Sequence, residues 1–144
     1  MNAKEWVEFL QNNGVDICVA DARRAGALVL GPSDGAYFHG GDQILLTRRL
    51  NKETLFHELV HWTATDDRLA RNMDAYLLYE DHDRAAEDLE ESIAWEATKL
   101  LVKRFGGGNR YYYIFAPIHS MKNSPEAKWF GRQAYEYICN EFGL

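Results

Sequence analysis

Apolar residues recur at helical spacing in several parts of the chain. Such a pattern at residues 3–12 predicts a short N-terminal helix that Asn12-Asn13-Gly14 ends. A stronger pattern predicts a long helix from residue 85 to about 104, before the glycines at 106–108. A less regular pattern predicts a helix over 68–79, and Pro125 opens a final helix.

Shorter apolar runs separated by turn residues are typical of strands. They occupy residues 15–20, 27–30, 36–38 and 43–46, and the last two flank a Gly-Gly pair that indicates a hairpin. Residues 111–115 fit either a strand or an aromatic loop. The chain is therefore expected to be one α+β domain over residues 1–144, with a small, mostly antiparallel sheet packed on helices.

One predicted helix carries candidate chemistry. Asn51 is a good helix cap, so this helix should begin near Lys52 and run through His61 or Trp62. It contains His57-Glu58-Leu59-Val60-His61, the His-Glu-x-x-His pattern. Residues four apart share a helix face, so both histidines can bind one metal ion with Glu58 beside it, as in zinc peptidases. The alternative is a pair of core histidines bonded to backbone, with Glu58 a surface charge.

Composition restricts the environment and the partners. The hydrophobic share of 47% and charged share of 26% are typical of a soluble globular protein, and no apolar run is long enough for a membrane span. A net charge of −6 argues against general nucleic-acid binding. The N-terminus lacks the basic start and apolar run of a signal peptide. The only cysteines, Cys18 and Cys139, are expected to be buried thiols in a reduced cytoplasm.

A catalytic zinc site needs a third protein ligand and an open position for water. Asp67 stands where metzincins have their third histidine, but Ala64 replaces the glycine that their turn requires. Glu87, Glu90 and Glu91 are better candidates, because a carboxylate on a facing helix can complete the site. Periodicity does not choose between Glu90 and Glu91, and these acids would otherwise form a solvated face.

Four segments of the chain together resemble the zincin-type metallopeptidase domain of ArdC antirestriction proteins and related phage and plasmid polyvalent proteins. They are residues 37–45, 54–63, 68–71 (Arg-Leu-Ala-Arg) and 90–94 (Glu-Glu-Ser-Ile-Ala). The resemblance covers roughly residues 36–104 and implies a zincin-like fold. Matching the alanine of the family's Glu-Glu-Leu-Val-Ala-Glu pattern to Ala94 implies that Glu91 is the third zinc ligand. The more distant similarity to ImmA/IrrE peptidases also selects Glu91.

The chain departs from this family in two places. Ala64-Thr65 replaces the Gly-His that commonly follows the helix, so no role of those residues is carried over. The family's N-terminal domain for single-stranded DNA has no counterpart in a chain this short, so DNA binding is not carried over either.

The expected function is a cytoplasmic zinc metallopeptidase, encoded by a phage or plasmid and acting on a host protein or peptide. Glu58 would be the general base for a zinc-activated water, with zinc on His57, His61 and Glu91. The candidates for a second oxyanion donor or substrate contact are Tyr76, His82, Tyr112 and His119.

Two alternatives concern other parts of the chain. The hairpin either offers a strand edge to substrate or only forms the sheet on which the helices pack. The acidic segment at 80–96 suggests a rival function, in which a non-proteolytic inhibitor mimics DNA and its zinc is structural.

Overall fold

The computed structural model describes residues 1–20, 35–38, 42–63, 84–107 and 125–144. These residues form four helices, α1 (Ala3–Asn12), α2 (Lys52–Thr63), α3 (Arg84–Phe105) and α4 (Pro125–Glu141), and three strands, β1 (Ile17–Ala20), β2 (Gly35–Phe38) and β3 (Gln43–Thr47). The α+β class is confirmed. Helices α1, α2 and α3 lie within about two residues of their predicted bounds, and α4 begins at Pro125 as predicted. The predicted elements at 27–30, 68–79 and 111–115 lie outside the described residues.

The ends of the helices follow from local sequence. Asn2 and Glu5 form a capping box at the start of α1. The Asn51 side chain accepts a hydrogen bond from the Thr54 N–H at 2.8 Å, which caps α2 as predicted. Helix α3 ends where Gly106 adopts a φ of 86°, a conformation that glycine allows without a Cβ penalty.

The sheet is mixed, so the prediction of a mostly antiparallel sheet is wrong for the described strands. The strand order is β1-β3-β2. β2 and β3 pair antiparallel as the predicted hairpin, with Phe38 opposite Gln43. β1 lies on the other side of β3 and is parallel to it, with Ile17 opposite Ile44. Turn residues specify the local hairpin, whereas the pairing of β1 with β3 is not local and has no such signal.

The hydrophobic core lies where α2 meets the other elements. α2 packs against α3, against β2 and β3 of the sheet, and against α1. Its buried apolar residues are Leu55, Phe56, Leu59, Val60 and Trp62. α3 also packs along α4. Helix α2 is thus held from several sides, which fixes the direction of its polar side chains.

The prediction that both cysteines are buried is confirmed for Cys139 and wrong for Cys18. Cys139 is buried, but Cys18 is exposed. Ile17 takes the buried position at the start of β1, and the next residue of a strand points to the opposite face. None of the helices in the described part of the chain is long and apolar enough to cross a membrane.

Candidate metal centre

His57 and His61 turn the same ring nitrogen toward each other on one face of α2. Their Nε2 atoms lie 3.2 Å apart, and their ring centroids are separated by 4.9 Å. Both residues are largely buried, with 9% of their surface exposed. The four-residue spacing stacks them, and the buried apolar residues of α2 hold the helix face in place. The two rings therefore share one small volume at the side of the core.

Glu91 brings a carboxylate from α3 to the same place. One oxygen lies 3.2 Å from Nε2 of His57, and the other lies 2.9 Å from Nε2 of His61. The Glu91 side chain is 40% exposed, so the cluster is reached by solvent from this side. Of the two acids that periodicity left open, Glu91 is the one that contacts both facing nitrogens.

These three side chains offer one ligand atom each within 4.8 Å of one another, a group that could hold a metal ion. Tetrahedral zinc with bonds of about 2.0–2.1 Å separates neighbouring ligand atoms by about 3.3 Å. The two Nε2 atoms are 3.2 Å apart. Each has one of the two Glu91 oxygens near it, at 3.2 Å from His57 and 2.9 Å from His61, and these distances are close to that separation. Two imidazoles and one carboxylate are also the ligand set of many zinc peptidases. The residues present therefore fit a zinc ion, and hydrogen bonds alone would also hold such a cluster.

Glu90 contacts the other nitrogen of the His61 ring. Its Oε1 lies 2.8 Å from His61 Nδ1. Glu90 is only 3% exposed, and within the described part of the chain its Oε2 has no hydrogen-bond partner. Glu90 and Glu91 are consecutive on a helix, so they approach His61 from different directions and meet different ring nitrogens.

The charges of this cluster shift the pKa values of two of its members. Burial lowers the pKa of His61, but the Glu91 charge and hydrogen bonds to Glu90 and Glu91 outweigh burial, so the pKa is raised well above its usual value. Desolvation would raise the pKa of Glu91, yet the His61 charge and hydrogen bonds from both histidines hold it well below its usual range. In the metal-free protein, His61 and Glu91 therefore form an ion pair.

Glu58 follows His57 on α2. It is 9% exposed, and the start of β2 lies close to its Cγ. A Cβ added at Gly35 would lie 2.6 Å from Thr54 Cγ2 and 3.4 Å from Glu58 Cγ. Glycine at this position lets the strand lie this close without displacing the Thr54 side chain. The hairpin thus runs beside the candidate base.

Trp95 is a neighbour of the site that the sequence pattern did not single out. Its ring centroid lies 5.0 Å from that of His57. Trp95 follows Glu91 by one helical turn on α3, and this spacing is the signal that places both on one face. The two rings are tilted by 60° to each other, so the indole packs against the His57 imidazole at an angle.

Other candidate residues are not placed by the structure. Asp67 and the four candidate oxyanion donors, Tyr76, His82, Tyr112 and His119, lie outside the described residues. Glu87 belongs to α3, but its side chain is outside the description. Their roles therefore remain predictions from sequence.

No family model, curated protein or solved structure matches this chain. A function must therefore be argued from the chemistry of the site.

Proposed function

We propose that the protein is a zinc-dependent metallopeptidase of the zincin type, related to the ArdC-like peptidases that its sequence resembles. One observation carries this proposal. The Nε2 atoms of His57 and His61 and the carboxylate of Glu91 converge at separations that suit one zinc ion, and Glu58 lies next to His57 on the same helix.

A bound zinc ion would lower the pKa of a water molecule and polarise a substrate carbonyl. His57, His61 and Glu91 would hold the ion. The Glu58 carboxylate takes the proton of the attacking water and then delivers it to the leaving amine, as a general base and acid. The Glu91 side chain is 40% exposed, which supports access of water to the centre from this side.

The position of the hairpin supports an extended peptide as substrate. β2 begins against Glu58, and among the described strands it is paired only on its β3 side. A peptide that adds to β2 as a further strand would pass close to the candidate base. The proposed target is a protein of the cell that carries the phage or plasmid.

The rival function as an acidic inhibitor receives less support. Its acidic segment includes Glu90 and Glu91, and both turn toward His61. Glu96 pairs with Lys99 at 2.9 Å. These three carboxylates have partners within the protein, so they contribute little to an open anionic surface.

Glu58→Gln tests the proposal directly. The amide cannot take a proton from water, so we expect cleavage to fall by about 10²- to 10⁴-fold. Zinc should stay bound at one ion per chain, because no metal ligand is changed. The measurements are elemental analysis and a cleavage assay against a peptide library and candidate host proteins.

Glu96→Gln is the matched control, since it removes a carboxylate of α3 whose partner is Lys99. It should retain both zinc and cleavage. Cleavage that persists at the wild-type rate in Glu58→Gln, or a wild-type protein that binds no zinc, would refute the peptidase.

A further inference from the structure

The two nitrogens of His61 have different carboxylate partners. Nδ1 lies 2.8 Å from Glu90 Oε1, whereas Nε2 lies 2.9 Å from Glu91 Oε1. Nε2 also faces His57 Nε2 at 3.2 Å. The ring therefore lies between two acids that are adjacent in sequence.

The two ring nitrogens of an imidazole have different roles, so the two contacts have different effects. A neutral imidazole carries one N–H and one lone pair, and a carboxylate beside a nitrogen favours the N–H there. By the same rule Glu91 favours a proton on Nε2 when no ion is bound. Once a cation replaces that proton, Glu90 keeps the N–H at Nδ1 and leaves the lone pair of Nε2 directed at the ion. The same contact also fixes the rotation of the ring, because Nδ1 can keep its bond in only one orientation.

Position 90 is an unusual place for a carboxylate unless the carboxylate serves to orient His61. Glu90 is 3% exposed, and its Oε2 has no hydrogen-bond partner within the described residues. A buried carboxylate with an incomplete set of hydrogen bonds is costly unless a positive charge lies nearby. A protonated His61 supplies that charge when no ion is bound, and a cation held by His57, His61 and Glu91 would supply it on the far side of the His61 ring.

We propose that Glu90 is a positioning residue of the metal centre, which holds His61 in the tautomer and orientation that bind the ion without itself being a ligand. This inference rests on the proposed metal site, but it does not depend on peptide cleavage. It assigns different tasks to two neighbouring acids: Glu91 binds the metal, and Glu90 orients a histidine that binds it.

A graded series at position 90 tests this role. Glu90→Gln keeps an acceptor of the same shape but removes the charge, and Glu90→Leu removes the acceptor. Loss of such a partner typically lowers metal affinity by about 10- to 100-fold. We therefore expect a loss near the lower value for Gln and near the upper value for Leu, measured by competition with a chromophoric zinc chelator.

Two spectroscopic measurements separate positioning from other roles. The absorption spectrum of the Co²⁺-loaded protein reports the coordination number of the ion. This number should stay unchanged in Glu90→Gln, whereas it should change in Glu91→Gln. In the zinc-loaded protein, ¹⁵N NMR should show the His61 proton on Nδ1, and this signal should shift in Glu90→Gln and Glu90→Leu. A role in packing alone would not move it. Glu96→Gln is the control, with wild-type affinity and spectra.

Each outcome decides between named alternatives. Zinc affinity within twofold of wild type in both variants would overturn the proposal. A changed Co²⁺ spectrum in Glu90→Gln would make Glu90 a ligand and overturn it as well. If Glu90→Leu fails to fold, the zinc affinity and the His61 ¹⁵N signal of the isosteric Glu90→Gln test the proposal instead. A graded loss of zinc affinity in a protein that cleaves no peptide would refute the peptidase function alone. Absence of zinc from the wild-type protein would refute both the peptidase function and the role of Glu90.

Discussion

His61 is the residue at which proton binding and metal binding compete. In the metal-free protein its ring lies between Glu90 and Glu91, and its pKa is raised because the Glu91 charge and hydrogen bonds to both acids outweigh burial. A metal ion needs the lone pair of Nε2, so it must displace a proton from a ring that holds it more tightly than an ordinary histidine.

This competition predicts the pH dependence of zinc affinity. A raised pKa keeps His61 protonated above about pH 6.5, the usual histidine value. Affinity should therefore rise with pH through and beyond that value, by about tenfold per unit while one proton is released. Chelator competition at several pH values measures the slope, and calorimetry in buffers of different ionisation enthalpy counts the protons.

The variant Glu90→Gln provides the comparison, because it removes one of the contacts that raise the His61 pKa. Its affinity should level off at a lower pH than that of the wild type. A wild-type affinity that is constant from pH 6.5 to 7.5 would contradict the raised pKa.

At the scale of elements, the position of α3 determines whether Glu90 and Glu91 reach α2. The C-terminal end of α3 is tied to the start of α2, where Lys52 Nζ donates a hydrogen bond to the Phe105 carbonyl at 3.0 Å. On its other side α3 packs on α4 at Gly131, where an added Cβ would lie 2.6 Å from Glu96 Cβ and 3.1 Å from Ala97 N. α3 is therefore held between two helices.

Gly131→Ala should destabilise the protein, although the same change inside an exposed helix usually stabilises it by roughly 0.5–1 kcal/mol. The added methyl group would meet the backbone of α3, so the helices must separate. We expect a loss of about 1–3 kcal/mol in the free energy of unfolding, measured with urea.

Lys128→Ala is the control on the same helix, since Lys128 is exposed. Its effect should stay within about 0.5 kcal/mol of wild type. If Gly131→Ala were more stable than the wild type, α3 and α4 would have to lie further apart at Gly131 than in this structure.

At the scale of the whole molecule, the candidate ligands join two helices that are far apart in sequence. The core beneath them is extensive and includes residues of all four described helices and of β1 and β3. A domain of this size usually folds without a metal. Zinc should therefore add to the stability of a fold that already exists.

Removing zinc with a chelator should leave the helical circular-dichroism spectrum intact and lower the melting temperature. Zinc at a free concentration one hundred times its Kd would stabilise the native state by about 2.7 kcal/mol, which corresponds to roughly 5–10 °C. Thermal melts with and without zinc measure this difference. It should vanish in Glu91→Ala and persist in Glu58→Gln. Complete unfolding on chelation would instead indicate a structural zinc site.

Local chemistry determined much of the fold. Apolar spacing and end signals such as Asn51 and Gly106 predicted all four described helices, because helix formation and capping depend on residues close in sequence. The hairpin of β2 and β3 followed from its turn for the same reason. The His-Glu-x-x-His spacing likewise places His57 and His61 on one face of the helix without any tertiary contact.

Tertiary structure decided what depends on contacts distant in sequence. The side on which β1 joins the sheet, and hence its parallel pairing, is set by packing of the whole domain. Periodicity could not distinguish Glu90 from Glu91, because both flank the same apolar stripe. Only the packing of α3 against α2 shows that Glu91 meets the two facing Nε2 atoms, while Glu90 is buried against Nδ1 of His61.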